Sequence, residues 1–162
     1  MSTMPVQKPG KSVQEVATPR GYLDWVETRF EAKLVWDLAA NANNSICGKS
    51  FFGPGSRHCE TGLVPAWNGC GRDLWLNPPY SKIGPWVEKC CSESRSAFRR
   101  VFLLVPASVG SAWRRDYVHK QTRVHFGRRI KFVGHETSYP KDLALCVYGL
   151  TPGYEYEDWP AC

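Results

Sequence analysis

Two short stretches place chemically capable residues at the end of an apolar run. In DLWLNPPY (residues 73–80), Leu74 to Leu76 lead straight into Asn77-Pro78-Pro79-Tyr80. Adjacent prolines remove two backbone donors and fix two φ angles. The residue before each proline is pushed toward extended backbone. The corner is therefore rigid and rich in acceptors: the Asn77 side-chain oxygen and the Pro78 carbonyl meet few competing donors. Together they could hold a planar amino group by its two hydrogens. Tyr80 adds a ring face on which a flat ligand could stack, a contact worth about 1–3 kcal/mol per base in single-stranded nucleic-acid sites. In LVWDLAAN (residues 34–41), a second apolar run ends at Asp37, with the small residues Ala39 and Ala40 just beyond. An acid in that position can grip the nucleoside or amino-acid part of a cofactor.

Such groups work only if both runs are strands of one sheet, and the rest of the chain supports that. Thr18-Pro19 reads as a helix start, with Thr as N-cap and Pro in the first turn. Tyr22, Leu23, Trp25, Val26 and Phe30 follow on one helical face. Residues 34–38 read as a strand and 39–44 as a turn into a brief helix. Residues 47–70 are rich in Gly, Pro, Asn and Ser and read as loop, with a short strand near Phe51. Ile83, Trp86, Val87, Cys90 and Cys91 lay an apolar stripe on a helix that runs to about Ser96. Val101 to Val105 form a continuous apolar run closed by Pro106, the pattern of a strand buried on both faces. A helix over 111–120 and strands over 122–126 and 143–148 complete the reading, the last two paired antiparallel at an edge. Strands alternating with helices predict a mainly parallel, helix-covered α/β sheet. In such sheets ligands bind beyond the carboxyl ends of strands, where Asp37 and Asn77 both fall.

The bulk properties are compatible with this picture. At 162 residues, with 43% hydrophobic and 22% charged residues, the chain reads as one soluble domain. It divides into a flexible leader (1–17), a folded domain (18–149) and an acidic, aromatic tail (150–162) that the pattern leaves unassigned. No apolar run approaches a membrane span and the start does not read as a signal peptide. Seven cysteines, an odd and scattered set, suit reduced thiols in a cytoplasmic setting. The net charge of +6 suits a polyanionic partner.

The wider arrangement resembles a known family. TPRGYL, KLVWDLAAN, ETGLVPAW, LWLNPPYSKIGPWVEK, VFLLVPAS and VHFGRRIKF, in that order, are similar to the phage-type DNA N-6-adenine methyltransferases. The resemblance runs from Thr18 to about Tyr148. It implies a Rossmann-like methyltransferase fold with a mainly parallel sheet and an antiparallel edge strand. It also implies S-adenosyl-L-methionine as cofactor and double-stranded DNA as partner, with the target adenine flipped out of the duplex. Carried over residue by residue, Asn77, Pro78, Pro79 and Tyr80 match the catalytic corner. Thr18 and Pro19 match an element lying against the cofactor, and Asp37, Ala39 and Ala40 match the loop holding its methionine part. Glu60 is the candidate for the ribose. The chain departs from the pattern at Arg128, where the family's late element carries Gly, and in lacking a glycine-rich turn after the first strand. A phage or prophage source and the bacterial cytoplasm follow as expectations, with protection against host restriction as a plausible purpose.

Other readings compete at several positions. The same corner chemistry would serve an RNA adenine or a protein glutamine amide, and a non-catalytic DNA-binding relative could keep the fold. Trp67, Trp75 and Trp86 read as core. Cys47, His58, Cys59 and Cys70 lack a CxxC pair and Cys90-Cys91 are adjacent, so no metal is expected. Basic runs are usually solvated faces. Within the later run Arg114, Arg115, Arg128, Arg129 and Lys131 are the candidates for phosphate contacts, which position a duplex without specifying its sequence.

Overall fold

The computed structural model describes residues 16–95 and 98–162; all but the last two residues of the expected leader lie outside them. Six strands form a single sheet in the order β1-β2-β3-β5-β4-β6. They are β1 (Leu34–Asp37), β2 (Asp73–Leu76), β3 (Arg100–Pro106), β4 (Arg123–Phe126), β5 (Leu143–Tyr148) and β6 (Gly153–Tyr156). β1, β2 and β3 are parallel neighbours, β5 is antiparallel to both β3 and β4, and β6 is parallel to β4. Five strands thus point one way and β5 alone is reversed. The expected antiparallel pairing of the strands over 122–126 and 143–148 is present, but it lies inside the sheet. The edge position belongs to β6, which the tail supplies.

Helices cover both faces, as period-2 alternation in the strands requires. Leu74, Leu76, Val101, Leu103 and Val105 face α2 (Gly84–Ser94), whose Trp86, Val87, Cys90 and Cys91 are buried against them. Trp75, Phe102, Leu104, Leu145 and Val147 face the other way, onto Tyr22, Leu23 and Val26 of α1 (Arg20–Arg29) and onto Trp159. All seven residues of β3 are buried, the apolar run Val101–Val105 as its pattern predicts and Arg100 through its pair with Asp73. The fold is thus α/β with helices on both sides of a mixed, mostly parallel sheet.

Three local expectations are corrected. α1 begins at Arg20 with Pro19 at the cap position, and no side chain caps it; the Thr18 hydroxyl is engaged elsewhere. Residues 39–44 form turns and no helix. Asn44 Oδ1 accepts from the Asn41 N–H and Asn41 Oδ1 from the Asn43 N–H, and such local side-chain bonds compete with helical ones. α3 spans only Ala112–Tyr117.

Candidate active site

β1 and β2 are parallel neighbours, so their carboxyl ends deliver Asp37 and Asn77 to the same side of the sheet. Asn77 is the first residue past β2, half-buried. Its Nδ2 donates to the Val16 carbonyl and to Thr18 Oγ1, both at 3.3 Å. The amide nitrogen is thereby spent on the segment before α1. Oδ1 makes no bond within the described residues and remains an acceptor. This is the use of the Thr18 hydroxyl that replaces capping: Thr18 is buried and orients the asparagine. Pro78 is buried behind it, and Pro79 opens a short 3₁₀ turn, Tyr80–Lys82.

Tyr80 is held more firmly than a free stacking platform would be. Its ring packs against both core clusters and meets Tyr139 edge-on at 5.5 Å and 69°. Its hydroxyl is buried without a partner among the described residues. Burial pushes its pKa well above the ordinary tyrosine value, so it stays a neutral phenol.

Asp37 is 3% exposed. Its Oδ1 accepts from the Ala39 N–H at 3.3 Å and its Oδ2 from the Ile46 N–H at 3.2 Å. No cation of the described residues pairs with it. Burial is the larger influence, outweighing the two N–H donors, and pushes its pKa up to about 7. Its main chain is bonded on both sides: the Asp37 N–H donates to Ser50 O and Phe52 N–H donates to Asp37 O. Phe51 forms the expected extended contact as a single parallel bridge to Asp37. Further along, Ala40 N–H donates to Phe52 O. The two loops approach so closely that a Cβ on Gly53, whose φ is +143°, would lie 1.7 Å from the Ala40 carbonyl oxygen.

Two adjoining hollows result. A small polar one joins Asp37, Thr18 and Asn77, with Val16 and Ile46 at its rim. The other is a cleft of about 270 Å³ that brings Ala39, Ala40, Glu60 and Pro79 together with Phe52 and Trp86. Ala39 and Asn44 line both. The structure thus gathers Thr18, Asp37, Ala39, Ala40, Glu60, Asn77 and Pro79 from four separate stretches of chain. Phe52, Asn44 and Thr61 also line these hollows and were not singled out in the sequence. Trp86, read there as core, is both: it is 6% exposed and forms part of the wall. Nothing local marks such residues, because they are brought in by loops that fold back.

The basic candidates divide. Arg114 is buried, lying 5.5 Å over the Phe126 ring, and is not part of a solvated face. Arg115 is exposed and pairs with its neighbour Asp116. Arg128 pairs with Asp158 and Arg129 with Asp142 at 3.2 Å, all four at the surface. Lys131 is exposed with no carboxylate partner among the described residues. Arg128, Arg129 and Lys131 follow β4, whose carboxyl end lies on the same side of the sheet as Asn77. In the late element Ile130 and Phe132 point into the core.

Within the described residues one group has the spacing of metal ligands, His125, Glu155 and Glu157, whose ligand atoms lie within 4.8 Å of one another. Arg29 and Arg123 already share these carboxylates, and His125 Nδ1 bonds Glu157 Oε1 at 2.8 Å. The cluster is an ion-pair network that ties the tail to β4 and α1. Cys47, His58, Cys59 and Cys70 form no such group within the described residues, and the seven cysteines are free thiols.

A helix-covered, mostly parallel sheet with polar hollows beyond the strand ends defines an α/β protein of the doubly wound type, a fold in which that edge is the usual place for ligands. The comparison with known sequences is more specific. A family model described as DNA N-6-adenine-methyltransferase (Dam) matches residues 7–145, and the chain belongs to that family. It is 33% identical over 97 residues to a DNA N-6-adenine-methyltransferase of Escherichia phage T1, a match that covers 60% of this chain and 37% of that protein. It is 28% identical over 128 residues to a DNA N-6-adenine-methyltransferase of Haemophilus phage HP1 (strain HP1c1), covering 78% of this chain and 70% of that one. The chain thus spans little more than a third of the phage T1 protein's length. No helix among the described residues is long and apolar enough to cross a membrane.

Proposed function

We propose that this chain transfers a methyl group from S-adenosyl-L-methionine to the exocyclic amino group of adenine in double-stranded DNA, acting on a base flipped out of the duplex. One observation carries the reading. Asn77 is fixed through its amide nitrogen by Thr18 and Val16, which leaves Oδ1 as an acceptor in the hollow it shares with the buried Asp37, a carboxyl that no cation of the described residues faces. The membership in a DNA N-6-adenine-methyltransferase family supports the choice of acceptor.

The residues suit the cofactor. Asp37 is a buried acid with no counter-charge among the described residues, which an ammonium group would supply. Ala39 and Ala40 leave room for close approach, Phe52 and Trp86 give flat apolar walls, and Glu60 could accept from ribose hydroxyls. When bound, S-adenosylmethionine supplies an electrophilic methyl on a sulfonium centre. The chain's own part is positioning and preorganised charge. Asn77 Oδ1 and the Pro78 carbonyl would accept the two amino hydrogens, which would favour a pyramidal nitrogen with a free lone pair. The donor would supply the methyl and keep the electron pair of the broken bond, and the surplus amino proton would leave to solvent. Tyr80, braced by Tyr139, supports the edge or face of the base. Arg128, Arg129, Lys131 and Arg115 are the surface cations for phosphates; buried Arg114 is better suited to holding Phe126. The place of work is the cytoplasm of a bacterial host.

Unmethylated duplex DNA incubated with the chain and S-adenosylmethionine, digested and analysed by mass spectrometry, should yield N6-methyladenine. Methyl groups recovered on RNA or on protein, with none on DNA, would replace the acceptor. Failure to bind the cofactor would leave a binding module in its place.

A further inference from the structure

The connection between β4 and β5, residues 127–142, is built around the proposed site. β4 runs parallel to β1 and β2, and β5 returns antiparallel, so the whole connection lies at the carboxyl edge that carries Asp37 and Asn77. Its path is pinned at four places. The indole of Trp159 donates to Arg128 O at 2.6 Å. Trp159 also lies so close to Gly127 that a Cβ there would be 2.4 Å from the ring. Val133 N–H donates to Ala17 O, next to the Thr18 that orients Asn77. Tyr139 N–H donates to Ile130 O, closing the loop, and the Tyr139 ring abuts Tyr80. Between the anchors at Val133 and Tyr139 every residue is exposed.

We propose that this exposed span, residues 133–138, reads the bases that flank the target adenine. The inference rests on the methyltransferase reading above. Both anchors touch the corner's own supports, so the span has a fixed position relative to Asn77, which base-specific contact requires. Its side chains are of reading type. Glu136 can accept from a cytosine amino group, Thr137 and Ser138 can donate or accept at any base edge, His135 can do either, and Val133 can meet a thymine methyl. Val133 is 58% exposed, an apolar residue offered to a partner at the rim. Lys131 and Lys141, both exposed and without carboxylate partners among the described residues, flank the span and match phosphates on either side. Another connection at the same edge, residues 107–111 after β3, carries no charged side chain.

The test is a change of sequence preference. A random-sequence duplex library is methylated by the wild-type chain and by His135→Ala, Glu136→Ala, Thr137→Ala and Ser138→Ala, and the methylated positions are read by single-molecule sequencing. At least one alanine variant should relax discrimination at a single base position by roughly 5- to 100-fold. Its calorimetric affinity for S-adenosylmethionine should remain that of wild type, which shows the site intact. Lys131→Ala, by contrast, should weaken methylation of all sequences alike and flatten the salt dependence. Unchanged preference in all four variants, and in a Gly-Ser replacement of residues 135–138 that still binds cofactor, would overturn the assignment. A wild-type chain that methylates no adenine in the library fails earlier, at the functional reading, and takes this inference with it.

Discussion

Two buried aspartates sit at opposite ends of neighbouring strands. Asp73 opens β2 and faces Arg100 at the start of β3, with Nε 2.7 Å from its Oδ1. Its Oδ2 accepts from the Lys33 N–H, and Arg100 also donates from Nη1 to the Phe30 carbonyl and from Nη2 to the Glu31 carbonyl. That end of the sheet is electrostatically complete. Asp37 closes β1 at the other end with two backbone N–H donors and no cation within the described residues. A buried carboxylate without a partner is costly, and its pKa of about 7 reflects that cost. Burial is nearly the same for both acids, 6% and 3% exposed. What separates them is the partner. At the amino edge the chain provides its own counter-charge, whereas at the carboxyl edge none of the described residues does, which is the place the proposed function gives to a cationic ligand.

This contrast between the two ends can be broken by substitution. Arg100→Met strands Asp73 in the interior, and removing one member of a buried pair costs about 3–5 kcal/mol. Chemical denaturation should register that loss, while cofactor affinity of the folded protein stays unchanged. Asp37→Asn should do the reverse. Its folding stability near pH 8 should hold, and S-adenosylmethionine should bind roughly 10- to 100-fold more weakly by calorimetry, the usual cost of a charged hydrogen bond. A preserved affinity would mean that Asp37 serves the loop alone.

The pH dependence sharpens the same point. The folded pKa of Asp37 is raised above its ordinary value, so its protonated form favours the fold. That contribution is complete below about pH 4 and is lost as pH rises through 7. A cationic ligand needs the ionised form. Affinity should therefore rise with pH, on the order of tenfold from pH 6 to pH 7.5, and binding near pH 6 should release a proton. The Asp37→Asn variant should lack both effects; an affinity independent of pH in the wild type would contradict the assignment. The smallest expected effect is at Thr18. Thr18→Val removes one bond to the Asn77 amide, about 1 kcal/mol, and should slow turnover roughly fivefold with cofactor affinity intact.

The parts of this arrangement differ in how visible they are before folding. β2 with its corner and β1 with its acid are local patterns, apolar residues followed by a polar stop, and both could be read directly. The buried β3 was equally legible, because its successive residues share one environment. The edge strand was not: Gly153–Tyr156 alternates tyrosine with small or acidic residues and gains meaning only from β4, far earlier in the chain. The Asp73–Arg100 pair is similarly long-range, and no single-residue property distinguishes it from a surface pair. Arg114 illustrates the opposite failure. Its place in a basic run suggested solvent, yet its guanidinium lies over Phe126 in the interior. Thr18 reads in the sequence as a helix cap and, through the resemblance, as a residue lying against a cofactor, whereas the structure bonds its hydroxyl to the Asn77 amide. Its partner could not be read, since a threonine before a proline also suits a helix cap and only the fold puts Asn77 beside it.

The proposed division of labour gives Asn77 the acceptor and the Asp37 side of the site the cofactor. The most direct measurement compares wild type with Asn77→Ala in two readouts, single-turnover methylation of duplex DNA and calorimetric affinity for S-adenosylmethionine. The predicted result is a fall in the transfer rate of roughly 100- to 1000-fold, the scale of losing one preorganised polar contact in a catalytic site, with affinity nearly unchanged. Loss of cofactor binding in the folded variant, or an unimpaired rate, would contradict it.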